Sequence, residues 1–127
     1  MKTIRIFAVV LLLLAGVSNS EAQTNAKASG VEVYYFHATN RCVTCEAVET
    51  VTKEALKQHY GDLLTLISIN REEDKDNPLL KKHQISGQTL LILKGDKAVD
   101  LTTFAFMNAR TKPEKLKAKI KDTIEKM

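Results

Sequence analysis

The stretch VEVYYFHATNRCVTCEAVETV, residues 31–51, holds both cysteines of the chain and changes its hydrophobic period midway. Over residues 31–36 every side chain but Glu32 is β-branched or aromatic, and Val31, Val33 and Tyr35 fall on one face of an extended chain. From Cys45 onward, Cys45, Val48, Val51, Ala55 and Leu56 recur at three- and four-residue spacing. Glu46, Glu49, Lys53, Glu54 and Lys57 fill the opposite side, which predicts an amphipathic helix. The polar segment between strand and helix is short, so Cys42 is expected at the helix mouth and Cys45 about one turn inside. A helix N-terminus offers unpaired N–H groups and partial positive charge, which favour thiolate over thiol. Arg41 adds a full charge beside Cys42. The offset of three lets Cys45 attack a mixed disulfide formed at Cys42.

Toward the N-terminus, Lys2 and Arg5 precede an apolar run over residues 6–17, and Ser20-Glu21-Ala22 gives a small-x-small cleavage pattern. Residues 1–22 are therefore read as a secretory signal peptide. The competing reading is an uncleaved anchor, but a spanning helix needs about 20 apolar residues. Residues 23–30 are small and polar and form a flexible lead-in. Residues 31–127 make one domain, large enough for a single core. The expected location is the periplasm or the extracellular space, with no membrane span after cleavage.

The formal net charge of +4 is modest, and the C-terminal lysines are interleaved with acids, so no nucleic-acid footprint is read. Two cysteines three residues apart cannot close a long loop and would stabilise little. In an exported protein they are better explained by chemistry than by architecture.

Toward the C-terminus, Gly61 ends the helix, and the apolar run at 63–70 predicts a central strand covered on both faces. The cluster REEDKDN at 71–77 reads as a solvated loop, with a metal-binding or partner-steering loop as the alternative. Asn77 and Pro78 start a short helix to residue 84. Residues 89–93 form a strand that turns at 94–97 into a second strand over 98–106. Thr111 and Glu114 are spaced as a capping box for a last helix with Leu116, Ile120, Ile124 and Met127 on one face.

The Cys42-Val43-Thr44-Cys45 motif between strand and helix, together with residues 85–96, resembles the thioredoxin-like superfamily. The resemblance implies an α/β minimal thioredoxin fold, β-α-β-α-β-β-α, with a mixed four-stranded sheet and helices on both faces. The long first helix and the last helix are expected on one face, and the short middle helix on the other. Members usually carry a cis-proline just before the position matched by Thr89; here Gln88 stands there. A non-proline cis bond costs about 2.5 to 4 kcal/mol, so Gln88 is expected trans. Its presence leaves the usual substrate docking open to change. Phe36 occupies the position where thioredoxins place a buried acid.

Cys42 is the expected nucleophile and Cys45 the resolving thiol. Arg41 either tunes the Cys42 thiolate or solvates the loop. Thr44 either bonds a thiolate or is an ordinary first-turn residue. His37, at the strand end, has three readings: a structural residue, a proton acceptor, or a third ligand beside Cys42 and Cys45.

Two function classes follow. The first is a monomeric thiol-disulfide oxidoreductase that exchanges electrons with protein thiols or disulfides, with no cofactor beyond its redox-active disulfide. The second is an exported copper or zinc carrier using Cys42, Cys45 and His37, although half a zinc site is all the cysteines supply. The Phe36-to-Cys45 stretch is also similar to short exported bacterial proteins labelled as nitrophenyl-compound nitroreductase subunits. No flavin or nicotinamide motif accompanies it, so that label is not carried over as an activity.

Overall fold

The structure, a computed structural model, describes residues 28–127. The expected signal peptide and the first part of the lead-in lie outside the described residues. Ala28, assigned to the lead-in, is buried in the main core.

β1 (Val31–His37) is followed by α1 (Val43–Tyr60), β2 (Leu66–Asn70), α2 (Pro78–Lys82), β3 (Thr89–Lys94), β4 (Lys97–Asp100), α3 (Thr102–Asn108) and α4 (Pro113–Lys126). The sheet order is β2-β1-β3-β4. β1 pairs in parallel with β2, from Val33 opposite Leu66 to His37 opposite Asn70. It pairs antiparallel with β3, from Val31 opposite Lys94 to Phe36 opposite Thr89.

Strand alternation divides the apolar side chains between two clusters. Val31, Val33 and Tyr35 of β1, with Leu90 and Ile92 of β3, pack against α1 and α4. Phe36, Leu91 and Leu93 face the other way, with Leu79 and Leu80 of α2 packed against them. The expected division of helices between the two faces therefore holds. Leu116, Ile120 and Ile124 of α4 are fully buried, and Lys117 reaches across to Glu54 of α1 at 3.1 Å. Gly61 closes α1 at φ 58°, where its N–H donates to the Lys57 carbonyl, a conformation costly for any residue with a Cβ.

Three expectations need correction. The run at 63–70 is not a central strand. β2 begins at Leu66 and lies at the sheet edge, with Leu63 exposed and Ile67 38% exposed. Leu64 enters the main core, and within β2 the partly buried Leu66 and Ile69 pack against the two opposite clusters, so the apolar run builds an edge strand rather than a central one.

The strand expected over 98–106 stops at Asp100, and α3 begins at Thr102. Asp100 Oδ1 accepts from the Thr102 N–H at 2.8 Å, and the Thr102 hydroxyl accepts from the Leu90 N–H at 2.9 Å. These bonds turn the chain out of the sheet, and Phe104 packs below α4 with Lys115 and Lys119 over its ring.

The capping box at Thr111 and Glu114 does not form. Pro113 is the first helical residue, so the cap falls on Lys112, which makes no side-chain capping bond. The Thr111 hydroxyl instead donates to the Met107 carbonyl, and Glu114 pairs with Lys117.

Candidate redox site

Cys42 is the N-cap of α1, with extended backbone at φ −82° and ψ 162°. Its carbonyl accepts the first helical bond from the Glu46 N–H, and its sulfur accepts from the Cys45 N–H at 3.1 Å. Cys42 and Cys45 are joined as a disulfide with Cα atoms 5.0 Å apart. Cys42 is exposed whereas Cys45 is 2% exposed, so only one sulfur of the pair can be approached from solvent. Val43 between them is 66% exposed and Thr44 half-buried. The bond to the Cys42 sulfur comes from the helix backbone rather than from the Thr44 hydroxyl.

A polar network runs from Arg41, the chain neighbour of Cys42, to α1 and the end of β1. Arg41 Nη1 binds Glu49 Oε2, and Arg41 Nη2 binds His37 Nε2. Lys53 Nζ holds the second Glu49 oxygen at 3.0 Å. Burial pushes the Glu49 carboxyl up, but hydrogen bonds from Lys53 and Ser68 and the charges of Arg41 and Lys53 outweigh it and hold the group below its usual range. His37 is 8% exposed, and its Nδ1 lies 2.9 Å from the Ala38 carbonyl. A carbonyl can only accept, so Nδ1 carries the proton and Nε2 accepts from Arg41.

Both nitrogens of His37 are thus engaged. The candidate ligand set of Cys42, Cys45 and His37 is not assembled: among the described residues no group of three or more His, Cys, Asp or Glu is gathered to hold a metal ion.

Tyr35 stands on the same face of β1. Its hydroxyl donates to the Cys45 carbonyl at 3.0 Å and lies 3.2 Å from Gln88 Oε1. The ring is fully buried, and its hydroxyl is pushed up to about 12 by burial and by the Glu49 charge, against the opposing charge of Arg41. Gln88 is trans, as expected, because no peptide bond among the described residues is cis. Thr89 is half-buried, and its hydroxyl donates to the Gly87 carbonyl at 3.2 Å.

The loop before Cys42 is tied to the end of β2. The Thr39 N–H donates to Glu72 Oε2 at 2.9 Å, Asn70 Nδ2 donates to the Thr39 hydroxyl, and the Arg71 N–H donates to the His37 carbonyl. The Thr39 backbone bond, followed by its hydroxyl, holds the Glu72 carboxyl below its usual range. The charge cluster at 71–77 therefore contributes a fastener to the site.

Glu49 and Tyr35 are the residues of the candidate site that sequence periodicity missed. Glu49 was grouped with the solvent-facing acids, yet it is only 7% exposed. Its spacing of four from Cys45 puts it on the buried face, and Arg41 is the partner that makes a buried carboxylate tolerable.

Neither a family model nor a curated protein matches the chain. Among solved structures, Trxlp from Edwardsiella tarda EIB202 is 22% identical, covers 80% of this chain and 92% of its own, and superposes with a TM-score of 0.51. Chloroplastic thioredoxin z is 18% identical over 72% of this chain and 81% of its own, with a TM-score of 0.45. A malarial protein is 21% identical over 61% of this chain and 92% of its own, with a TM-score of 0.43. None of the three bears the nitroreductase label. The sheet order, the helices on both faces and the Trxlp match make this a thioredoxin-like fold with a Cys-x-x-Cys disulfide at the start of its first helix.

Proposed function

We propose that the chain is an exported thiol-disulfide oxidoreductase, acting in the periplasm or outside the cell as a monomer on protein thiols or disulfides. The observation that carries this reading is the asymmetry of the pair: Cys42 exposed as the cap of α1, Cys45 buried directly behind it. Export rests on the N-terminal sequence pattern alone.

When the protein acts as a reductant, the Cys42 thiolate attacks one sulfur of a partner disulfide. The partner S–S bond breaks, its other sulfur leaves as thiolate, and a mixed disulfide forms at Cys42. Cys45 then loses its proton and attacks the Cys42 sulfur. This restores the Cys42–Cys45 bond and releases the partner as a dithiol, with two electrons transferred. Oxidation of a partner runs the same steps backwards. Cys42 is the nucleophile and Cys45 the resolving thiol. Arg41, His37 and Thr44 are supporting residues on the strand-to-helix segment, and Gln88, linked to the Cys45 carbonyl through Tyr35, and Thr89 are supporting residues at the start of β3.

Equilibration of the protein with a glutathione redox buffer tests the reading. The expected result is a reversible two-electron couple between about −270 and −120 mV. Cys45→Ser should accumulate mixed disulfides at Cys42. A one-to-one copper(I) or zinc complex that withstands glutathione competition, with no such couple, would overturn the reading in favour of a metal carrier.

A further inference from the structure

We infer that Glu49 meters the positive charge that Arg41 presents to the Cys42 sulfur, so that the Arg41–Glu49 pair sets the reactivity of the exposed cysteine. The inference deepens the thiol-disulfide reading and rests on it.

Arg41 is the chain neighbour of Cys42, and the two terminal nitrogens of its guanidinium are held, one by Glu49 and one by His37. The carboxylate is buried, and its partners come from three parts of the chain. Arg41 comes from the loop, Lys53 from the next turn of α1, and Ser68 from β2. From β1 the Tyr35 hydroxyl feels the Glu49 charge and stays neutral to about pH 12, while the His37 ring is linked to Glu49 only through Arg41, donating to Ala38 and accepting from Arg41. One anion, four residues beyond Cys45 on α1, thus stands between two cations, one of them the chain neighbour of Cys42.

Reduction changes what Arg41 faces. Two electrons from a partner dithiol, which becomes a disulfide, break the Cys42–Cys45 bond. Of the two protons the partner dithiol gives up, the buried Cys45 takes one and solvent the other, and Cys42 is left as a thiolate at the helix N-terminus. That new anion competes with Glu49 for the same guanidinium. The more firmly Glu49 neutralises Arg41, the less the thiolate is stabilised.

A purely structural ion pair would only fasten the loop to α1, and breaking it from either side would have the same consequence. The metering role predicts opposite ones. Glu49→Gln releases the Arg41 charge and removes a nearby anion, so the Cys42 thiol should ionise about one unit lower. Arg41→Gln removes the cation and leaves the anion, so it should ionise about one unit higher. The double variant should fall between the two.

The readout is the pH profile of iodoacetamide alkylation of the reduced protein, which reports Cys42 because Cys45 is buried, checked against thiolate ultraviolet absorbance. Lys53→Gln is a second route to the same answer at an exposed side chain: with less competition for Glu49, the midpoint should rise by a smaller amount. Shifts of one sign in the Glu49 and Arg41 variants, or no shift in any of the three, would overturn the inference. Should the Glu49 or Arg41 variant fail to fold, an unmoved midpoint in Lys53→Gln would overturn it alone. None of these readouts needs a redox partner. Failure of the oxidoreductase reading would appear separately, as a missing glutathione couple with the opposite shifts intact.

Discussion

The Tyr35 hydroxyl, at the centre of the sheet, donates to the carbonyl of Cys45 at 3.0 Å and so ties the central strand to the first turn of the redox helix. A buried phenol needs a partner, and this one has a fixed one. Tyr35→Phe keeps the ring and removes the bond. We expect a loss of about 1 kcal/mol, read as a fall of a few degrees in the thermal midpoint of the oxidised protein.

Alkaline pH should weaken the fold through its tyrosines. Tyr34 is raised to about 12, first by its hydrogen bond to Glu32; Tyr35 and Tyr60 are raised to about 12, first by burial. All exceed the ordinary value of 10.0, so the unfolded chain ionises first as pH rises. The stability they contribute is fully present below about pH 10 and is lost as pH climbs through about 12. Denaturant midpoints measured from pH 8 upward should decline across that window, in step with tyrosinate absorbance.

Acid should loosen the redox loop. Glu72 is held below the ordinary carboxylate value of 4.5 by Thr39, so its contribution is present above that pH and lost as pH falls through the folded value. The carboxylate is solvent-exposed, so the effect is local. Glu72→Gln at neutral pH should speed exchange of the Thr39 amide proton with little change in the global melting midpoint.

The turn into α3 should be sensitive to one hydroxyl. Leu90 is fully buried, and its N–H is satisfied by Thr102 Oγ1. Thr102→Val keeps the shape and removes the acceptor. An orphaned buried amide costs about 1 to 3 kcal/mol, which urea unfolding should report as a lower midpoint at unchanged slope.

Local chemistry was legible in the sequence wherever one residue type fixed one conformation. Gly61, Asn77-Pro78 and the Gly95-Asp96 turn all stand where their backbone preferences put them. The placement of Cys42 at the helix mouth followed from the change of period. The edge position of β2 was not legible, because an apolar run records burial without saying how many strands lie beside it. Nor was α3: Phe104 and Phe106 read as strand formers, and of the deciding bonds one is local, from the Thr102 N–H to Asp100, while the other joins Thr102 to Leu90, twelve residues earlier in β3. Glu49 was missed because a charged residue on an amphipathic helix is assigned to solvent by default. Its partners, Ser68 and the Arg41 guanidinium, arrive from outside the helix.

The alternation of β1 gives the site a parity. Val31, Val33, Tyr35 and His37 point toward α1, and Tyr34 and Phe36 toward α2, so the same pleat that sorts the core also brings a phenol to the Cys45 carbonyl and an imidazole to Arg41. A deletion of one residue within this strand would do more than shift its pairing. It would carry a phenylalanine to α1 and bury a histidine among leucines, so that the surroundings of the disulfide and the hydrophobic packing would fail together through a single frame error.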